Sequence, residues 1–251
     1  MATKKKNINI SPLDPTIFNK RFKDAPWLNI GINTIITIGG AGGIGSNLCF
    51  LLGRMGYKLE IHDFDVVSFE NIGVQFFKEE NIGSSKTVSI SRIISEFKLS
   101  YSGNNVLPLA HRIDERFIPK NICISCFDNM KARKILFESW EKRIQNMEEY
   151  ERTNSPILFI DGRMTAETFQ IYTVSKPSDI EKYRDSLFND EDLPDLPCSF
   201  KSTPHNSMMI ACYITSILNN YYFNYSIQDN IREVPFYLEV QQASLNFNTI
   251  D

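Results

Sequence analysis

Apolar residues fall into short runs along this chain, separated by glycine, proline and acidic stretches, and the spacing within each run predicts its structure. "NTIITIGG" is a β-branched run closing on glycine, the pattern of a buried strand. In "IGSNLCFLLGRMG", Leu48, Leu51, Leu52 and Met55 repeat at helical spacing, and Gly56 stands where a helix C-cap belongs. "YKLEIHDFD" predicts a second strand. "SSKTVSISRIISEFK" predicts a helix with Val88, Ile90, Ile93, Ile94 and Phe97 on one stripe, and "NNVLPLAHRI" a third strand. The strand "KNICISCFDN" leads into a helix from Met130 to about Asn146. "PILFIDGRM" is a further strand, with "ETFQIYTVS" antiparallel to it. "NSMMIACYITSILNNYY" predicts an apolar helix and "VPFYLEVQQASLNFN" an edge strand or hairpin. Between them, the Asp- and Pro-rich "SDIEKYRDSLFNDEDLPDLPCS" reads as an exposed loop or crossover.

Strands alternating with helices predict a Rossmann-like α/β fold, its mostly parallel sheet flanked by helices, with a mixed or antiparallel C-terminal part. Residues 1–28 read as a polar, irregular N-terminal arm, and 29–251 as one domain whose crossover loop spans about 176–203. No repeat or low-complexity segment interrupts it.

Composition narrows the setting. Over 251 residues, 42% are hydrophobic and 23% charged, enough for a substantial core. The net charge of −3 gives nucleic-acid binding no support, and the lysines at 4–6 read as a solvated tail. No run approaches the roughly 18 apolar residues of a membrane span, and no apolar segment follows the N-terminal lysines. A cytoplasmic protein without nucleic-acid or membrane partners is the expectation. Five cysteines suit that compartment. Cys123 and Cys126 form a C-x-x-C within a predicted buried strand, with no second pair, so burial is favoured over zinc.

The candidate chemistry begins at Gly40. "GAGGIG", Gly40 to Gly45, follows a strand and opens a helix: a tight turn at Gly40, close backbone approach to phosphate at Gly42, helix–sheet packing at Gly45. The helix N-terminus offers unpaired N–H groups to an anion. Asp63, closing the second strand, is positioned to accept from ribose hydroxyls. An NAD-dependent dehydrogenase needs those features too. It has no use for Lys86, nor for "FDNMKAR" with Asp128, Asn129 and Arg133 at a later strand end. A lysine and a carboxylate suit a magnesium-bound triphosphate.

"GAGGIGS", "DFDVVSFENIGVQ", "IGSSK" and "CFDNMKAR", in this order and spacing, resemble the ThiF/MoeB family, adenylating enzymes related to ubiquitin-activating enzyme. The likeness spans about residues 30–140, with looser similarity at "FIDGRM" and around Cys198. It implies an ATP-dependent adenylyltransferase using Mg2+. Its partner would be the C-terminal carboxylate of a small ubiquitin-like protein or peptide, attacking the α-phosphorus to give an acyl-adenylate. On that pattern Gly40, Ala41, Gly42, Gly43 and Gly45 cradle the nucleotide and Asp63 holds the ribose. Asp65, Asn71, Gln75 and Asn129 lie on the cofactor side, Lys86 contacts the phosphates and Asp128 binds magnesium.

Plainer readings stand beside these. Lys86 could be a solvated residue at a helix start, Asp128 an N-cap, and Arg133 a partner within its own helix. The family's S-N-L-N-R-Q stands here as "ENIGVQ", keeping Asn71 and Gln75 but with Val74 at the arginine, a contact whose loss costs roughly 10²- to 10³-fold in rate. A nucleotide- or protein-binding module of impaired activity is therefore the alternative function. Arg21 or Lys20 in "FNKRFKD" resembles the family arginine that reaches a neighbouring subunit's nucleotide, which implies a homodimer. The family's paired zinc C-x-x-C motifs are missing. Cys198 is a candidate thioester nucleophile, with Lys201 and His205 near it in sequence, or a packing residue. Arg163, at a strand end, has no role beyond a substrate or phosphate contact.

Overall fold

The computed structural model describes residues 21–97, 105–189, 202–227 and 231–250. Eight strands form one sheet in the order β3-β2-β1-β4-β5-β6-β7-β8. The first five are parallel: β1 (Ile35–Gly39), β2 (Lys58–His62), β3 (Val106–Leu109), β4 (Ile122–Ser125) and β5 (Leu158–Met164). β6 (Thr168–Val174), β7 (Tyr237–Gln241) and β8 (Asn246–Ile250) continue it antiparallel. The fold is thus α/β, mostly parallel, with an antiparallel C-terminal part.

Alternation along the central strands divides the core in two. Ile122 and Ile124 of β4, with Leu158 and Ile160 of β5, point into one cluster; Cys123 and Phe159, one residue on, point into the other. The first cluster is covered by α1 (Pro26–Asn33), α2 (Gly43–Arg54), α3 (Lys86–Glu96) and the 23-residue α7 (Pro204–Ser226). The second is covered by α4 (Met130–Gln145) and α6 (Asp179–Asp185), through Leu136, Phe137, Trp140 and Tyr183. A short α5 (Glu149–Asn154) precedes β5. Cys123 and Cys126 are both buried, and burial raises both thiols.

Two expected irregular stretches are helical. The arm's last residues enter α1, which Pro26 starts without losing a bonded N–H. Trp27 meets Tyr57 edge-on, and a Cβ on Gly31 would strike the Tyr57 ring at 2.3 Å, so tertiary packing holds this short helix. The expected loop over 176–203 contains α6, because Tyr183 is fully buried among Phe137, Phe159 and Tyr172.

The order of strands fixes where a ligand can sit. From β1 the chain winds outward through β2 and β3, then returns to β4 on the other side of β1. The crevice beyond the carboxyl ends of β1 and β4 is the topological switch point, where ligands of such sheets bind. Gly39 and Ser125 are register partners at that end.

Candidate nucleotide-binding site

A cleft of about 1080 Å3 opens at this point, just above the roughly 300–1,000 Å3 usual for small-molecule sites. Gly40, Gly42, Asp63, Lys86, Asp128 and Arg163 all border it.

The glycine loop is built as its spacing predicts. Gly40 has φ +93°, which a side chain resists. A Cβ on Gly45 would lie 1.9 Å from the Gly40 carbonyl oxygen, so only glycine lets α2 start this close to the turn. At Gly42 a Cβ would meet nothing within 4 Å: that backbone faces open space, as a phosphate-approaching residue should. Asp63 clamps the loop. Its Oδ2 accepts from the Ala41 N–H at 2.7 Å and its Oδ1 from the Asp65 N–H at 2.8 Å. Burial pushes the carboxyl above its ordinary value, against those two N–H groups and Lys86. Each oxygen keeps a lone pair for a further donor.

Lys86 is the first residue of α3 and is buried, its Nζ 2.9 Å from Asp65 Oδ2. The cation's quarrel with the helix dipole is settled locally by Asp65, and the lysine is not the solvated residue its position alone allows. Asp128 is not the cap of α4. Asn129 is: its side chain accepts from the Ala132 N–H at 2.8 Å. Asp128 is exposed and accepts a bond from the Asn129 amide at 3.1 Å. Among the described residues no group of three His, Cys, Asp or Glu could hold a metal. A single carboxylate sharing its ion with polyphosphate oxygens is the usual arrangement for magnesium, and Asp128 fits it.

Other expected positions diverge. Gln75 borders the cleft, with its amide oxygen buried and no partner among the described residues. Asn71 instead completes its own turn, Phe69–Asn71, accepting from the Ser68 N–H at 2.9 Å. Ala41 is fully buried and serves through its N–H. Arg21 is exposed before α1 and does not border the cleft. His205 is exposed on the first turn of α7. Cys198, Lys201, Lys20 and the lysines at 4–6 lie outside the described residues.

The profile of the ThiF family matches residues 32–244. The chain belongs to the ThiF family. Ubiquitin-like modifier-activating enzyme 5 of Dictyostelium discoideum is 30% identical over 116 residues, covering 40% of this chain and 30% of that protein. Adenylyltransferase and sulfurtransferase MOCS3 of Caenorhabditis briggsae is 32% identical over 113 residues, covering 41% and 27%. The matched stretch spans less than a third of the length of either curated relative. Among solved structures, PaaA superposes with a TM-score of 0.67 at 14% identity, covering 100% of this chain and 87% of that one. E. coli MccB solved with ATP superposes at 0.61 and 15% identity, covering 93% and 70%. Likeness at such identities concerns the fold.

Within this ThiF-family cleft, Val74 stands beside the loop. Its Cγ1 is 3.7 Å from where a Cβ on Gly43 would lie, and the Met164 methyl is 2.5 Å from the same point. The Ser207 hydroxyl, 3.2 Å from that point and donating to the Thr203 carbonyl, is the polar group there, and none of the three neighbours is charged. The loop carrying Val74 is tied to α2 by the Phe76 N–H donating to Ser46 Oγ at 2.9 Å.

The sequence did not reveal the charged cluster at the β5 end of the cleft. Arg133 is buried and ion-pairs with Asp161 of β5, not within its own helix. It also donates to the carbonyls of Phe127 and Gly162. Arg163 Nε reaches the other Asp161 oxygen at 2.7 Å, and Tyr183 donates to Asp161 at 3.1 Å. Burial works against the Asp161 charge, and the two guanidiniums outweigh it, holding the carboxyl below its ordinary value. Only the odd composition of "IDGRM", with two charges inside an apolar strand, signalled this cluster. On the far wall, His62 Nδ1 lies 3.2 Å from His111 Nε2, and burial, His111 and Lys120 lower His62 to about 4.

Proposed function

We propose that this protein activates a carboxylate with ATP, transferring the adenylyl group to the C-terminus of a small ubiquitin-like protein or peptide. The observation that carries this reading is the meeting of an open Gly42 backbone, Asp63, Lys86 and an exposed Asp128 at one switch-point cleft of a ThiF-family fold. Two relatives named as a ubiquitin-like modifier-activating enzyme and an adenylyltransferase support it.

The ribose hydroxyls donate to Asp63, whose oxygens are aimed by the Ala41 and Asp65 N–H groups. The phosphates lie along the Gly42 backbone at the start of α2, with Lys86 neutralising part of their charge. Magnesium held by Asp128 would screen further phosphate charge. A carboxylate oxygen of the acceptor attacks the α-phosphorus, the bond from that phosphorus to the bridging oxygen breaks, and pyrophosphate leaves. The enzyme's share is positioning and charge neutralisation, since two anions must approach. In this reading the protein acts in the cytoplasm as a homodimer, Arg21 of one copy reaching the nucleotide of the other.

The test uses ATP, magnesium and synthetic peptides or ubiquitin-like proteins ending in a free Gly-Gly carboxylate. Label from pyrophosphate should exchange into ATP only with a free carboxylate present, and Asp128→Asn should abolish the exchange. Release of ADP and phosphate with no exchange contradicts the proposal. Val74 favours a second reading, a nucleotide- or protein-binding module of impaired activity, since the side chains beside Gly43, Met164, Ser207 and Val74, offer phosphate no cation. MgATP binding without any exchange across acceptors is its signature.

A further inference from the structure

We infer that Arg163 forms an oxyanion subsite in the floor of the cleft, taking a phosphate group of the nucleotide or the carboxylate of the acceptor. The charges at this end of the cleft do not balance. Arg133, Asp161 and Arg163 are all buried, and both arginines border the cleft. Two cations thus share one anion. The third partner, Tyr183, brings no negative charge, because burial raises its hydroxyl well above the ordinary phenol value. An uncompensated buried charge carries a large desolvation cost unless something pairs with it.

Each arginine makes three hydrogen bonds to protein groups, and they differ in what holds their planes. Arg133 donates to Asp161 and to the Gly162 and Phe127 carbonyls. Arg163 donates Nε to Asp161, one Nη to the Ser186 carbonyl at 2.9 Å and the other to Ser186 Oγ at 3.0 Å. Each terminal nitrogen carries two hydrogens. A further N–H of Arg163 is shared with the Tyr183 hydroxyl, which leaves at most one for a ligand. The guanidinium lies over the Tyr172 ring, 4.2 Å from its centroid, so its plane is fixed before any ligand arrives. A planar, immobilised guanidinium at a cluster with excess positive charge suits a carboxylate or phosphate.

Its place complements the rest of the site. Lys86 already shares its charge with Asp65, and Val74 contributes none beside Gly43. The spare positive charge lies at β5, two strands from the glycine loop on β1. The carboxylate form of this inference rests on the adenylation reading; the phosphate form needs only an anionic ligand.

The experiment titrates wild type, Arg163→Gln and Asp161→Asn by calorimetry with three probes: MgATP, inorganic pyrophosphate, and a peptide ending in Gly-Gly with either a free or an amidated C-terminus. Arg163→Gln should weaken at least one anionic probe by about ten- to a hundredfold. Asp161→Asn removes the buried negative charge and should tighten the same probe by about threefold or more, an effect that salt reduces. Both substitutions break a buried ion pair and lower thermal stability, so a purely structural role would weaken binding in both; that result overturns the subsite. Unchanged affinities in Arg163→Gln, or a wild type binding none of the probes, also overturn it. An effect confined to MgATP and pyrophosphate assigns the phosphate, and one confined to the free-carboxylate peptide assigns the acceptor. If Asp161→Asn fails to fold, Arg163→Lys decides: recovery of most of the affinity lost in Arg163→Gln supports an anion site, and a loss equal to that of Arg163→Gln contradicts it. A wild type that binds pyrophosphate in this manner but not MgATP keeps the subsite and discards the adenylation reading.

Discussion

Replacing Asp63 by asparagine separates recognition of the ribose from support of the loop. In the wild type each carboxylate oxygen already accepts one backbone N–H, from Ala41 at 2.7 Å and from Asp65 at 2.8 Å, and can accept one ribose hydroxyl more. Asparagine preserves one of these oxygens. Its amide nitrogen faces a backbone donor instead, leaving a buried N–H unsatisfied at a cost of about 1–3 kcal/mol. Part of that is offset, because burial already opposes the Asp63 charge. For the ligand, a hydrogen bond to a charged acceptor is worth about 1.5–3 kcal/mol, so ATP should bind about ten- to a hundredfold more weakly. The diagnostic is a comparison across ligands. Calorimetry with ATP, 2′-deoxy-ATP and 3′-deoxy-ATP should show the wild type preferring ATP over at least one deoxy form by about tenfold. In Asp63→Asn that preference should shrink towards one. If the variant weakens all three ligands equally, or none, Asp63 serves the loop alone and its role at the ribose is refuted.

Four further outcomes follow from the geometry. Asp128→Asn should leave the thermal midpoint unchanged, since the carboxylate caps nothing and is exposed, yet abolish the magnesium dependence of ATP binding; a large fall in midpoint contradicts this. Gly45→Ala forces a Cβ to within 1.9 Å of the Gly40 carbonyl oxygen and should cost about 1–3 kcal/mol or more in urea unfolding, so an unchanged urea midpoint refutes the close packing. His62 is lowered to about 4 chiefly by burial; the unfolded chain therefore takes up its proton first, stability is full above about pH 6.5, and about 2–3 kcal/mol is lost on acidification towards pH 4. His62→Phe should flatten that part of the urea-stability profile against pH. Val74→Arg returns a donor beside Gly43 and should raise MgATP affinity about tenfold; no gain in calorimetry would mean that another cation already serves the phosphates.

Features encoded locally were legible in the sequence. The β-branched runs of β1 and β4 and the glycine spacing at Gly40, Gly42 and Gly45 act within a few residues, so pattern and structure agree there. Asp63 was legible because a strand end fixes its position. The dipeptide Asp128–Asn129 was ambiguous: either residue can cap a helix, and only the Asn129 bond to Ala132 decides. Helix α1 was hidden because its support is Tyr57, and α6 because its acidic surroundings mask a buried Tyr183. The Arg133–Asp161–Arg163 cluster showed only as two charges in an apolar strand, because buried charges obey no periodicity and α4 meets β5 only through the fold. Among the described residues no helix is long and apolar enough to cross a membrane.

The most direct test of the account is calorimetric titration of the purified protein with ATP in the presence and absence of magnesium, and separately with NAD+. The account predicts saturable ATP binding that weakens when magnesium is withheld, and none to NAD+. Binding of NAD+ with no binding of ATP would contradict it.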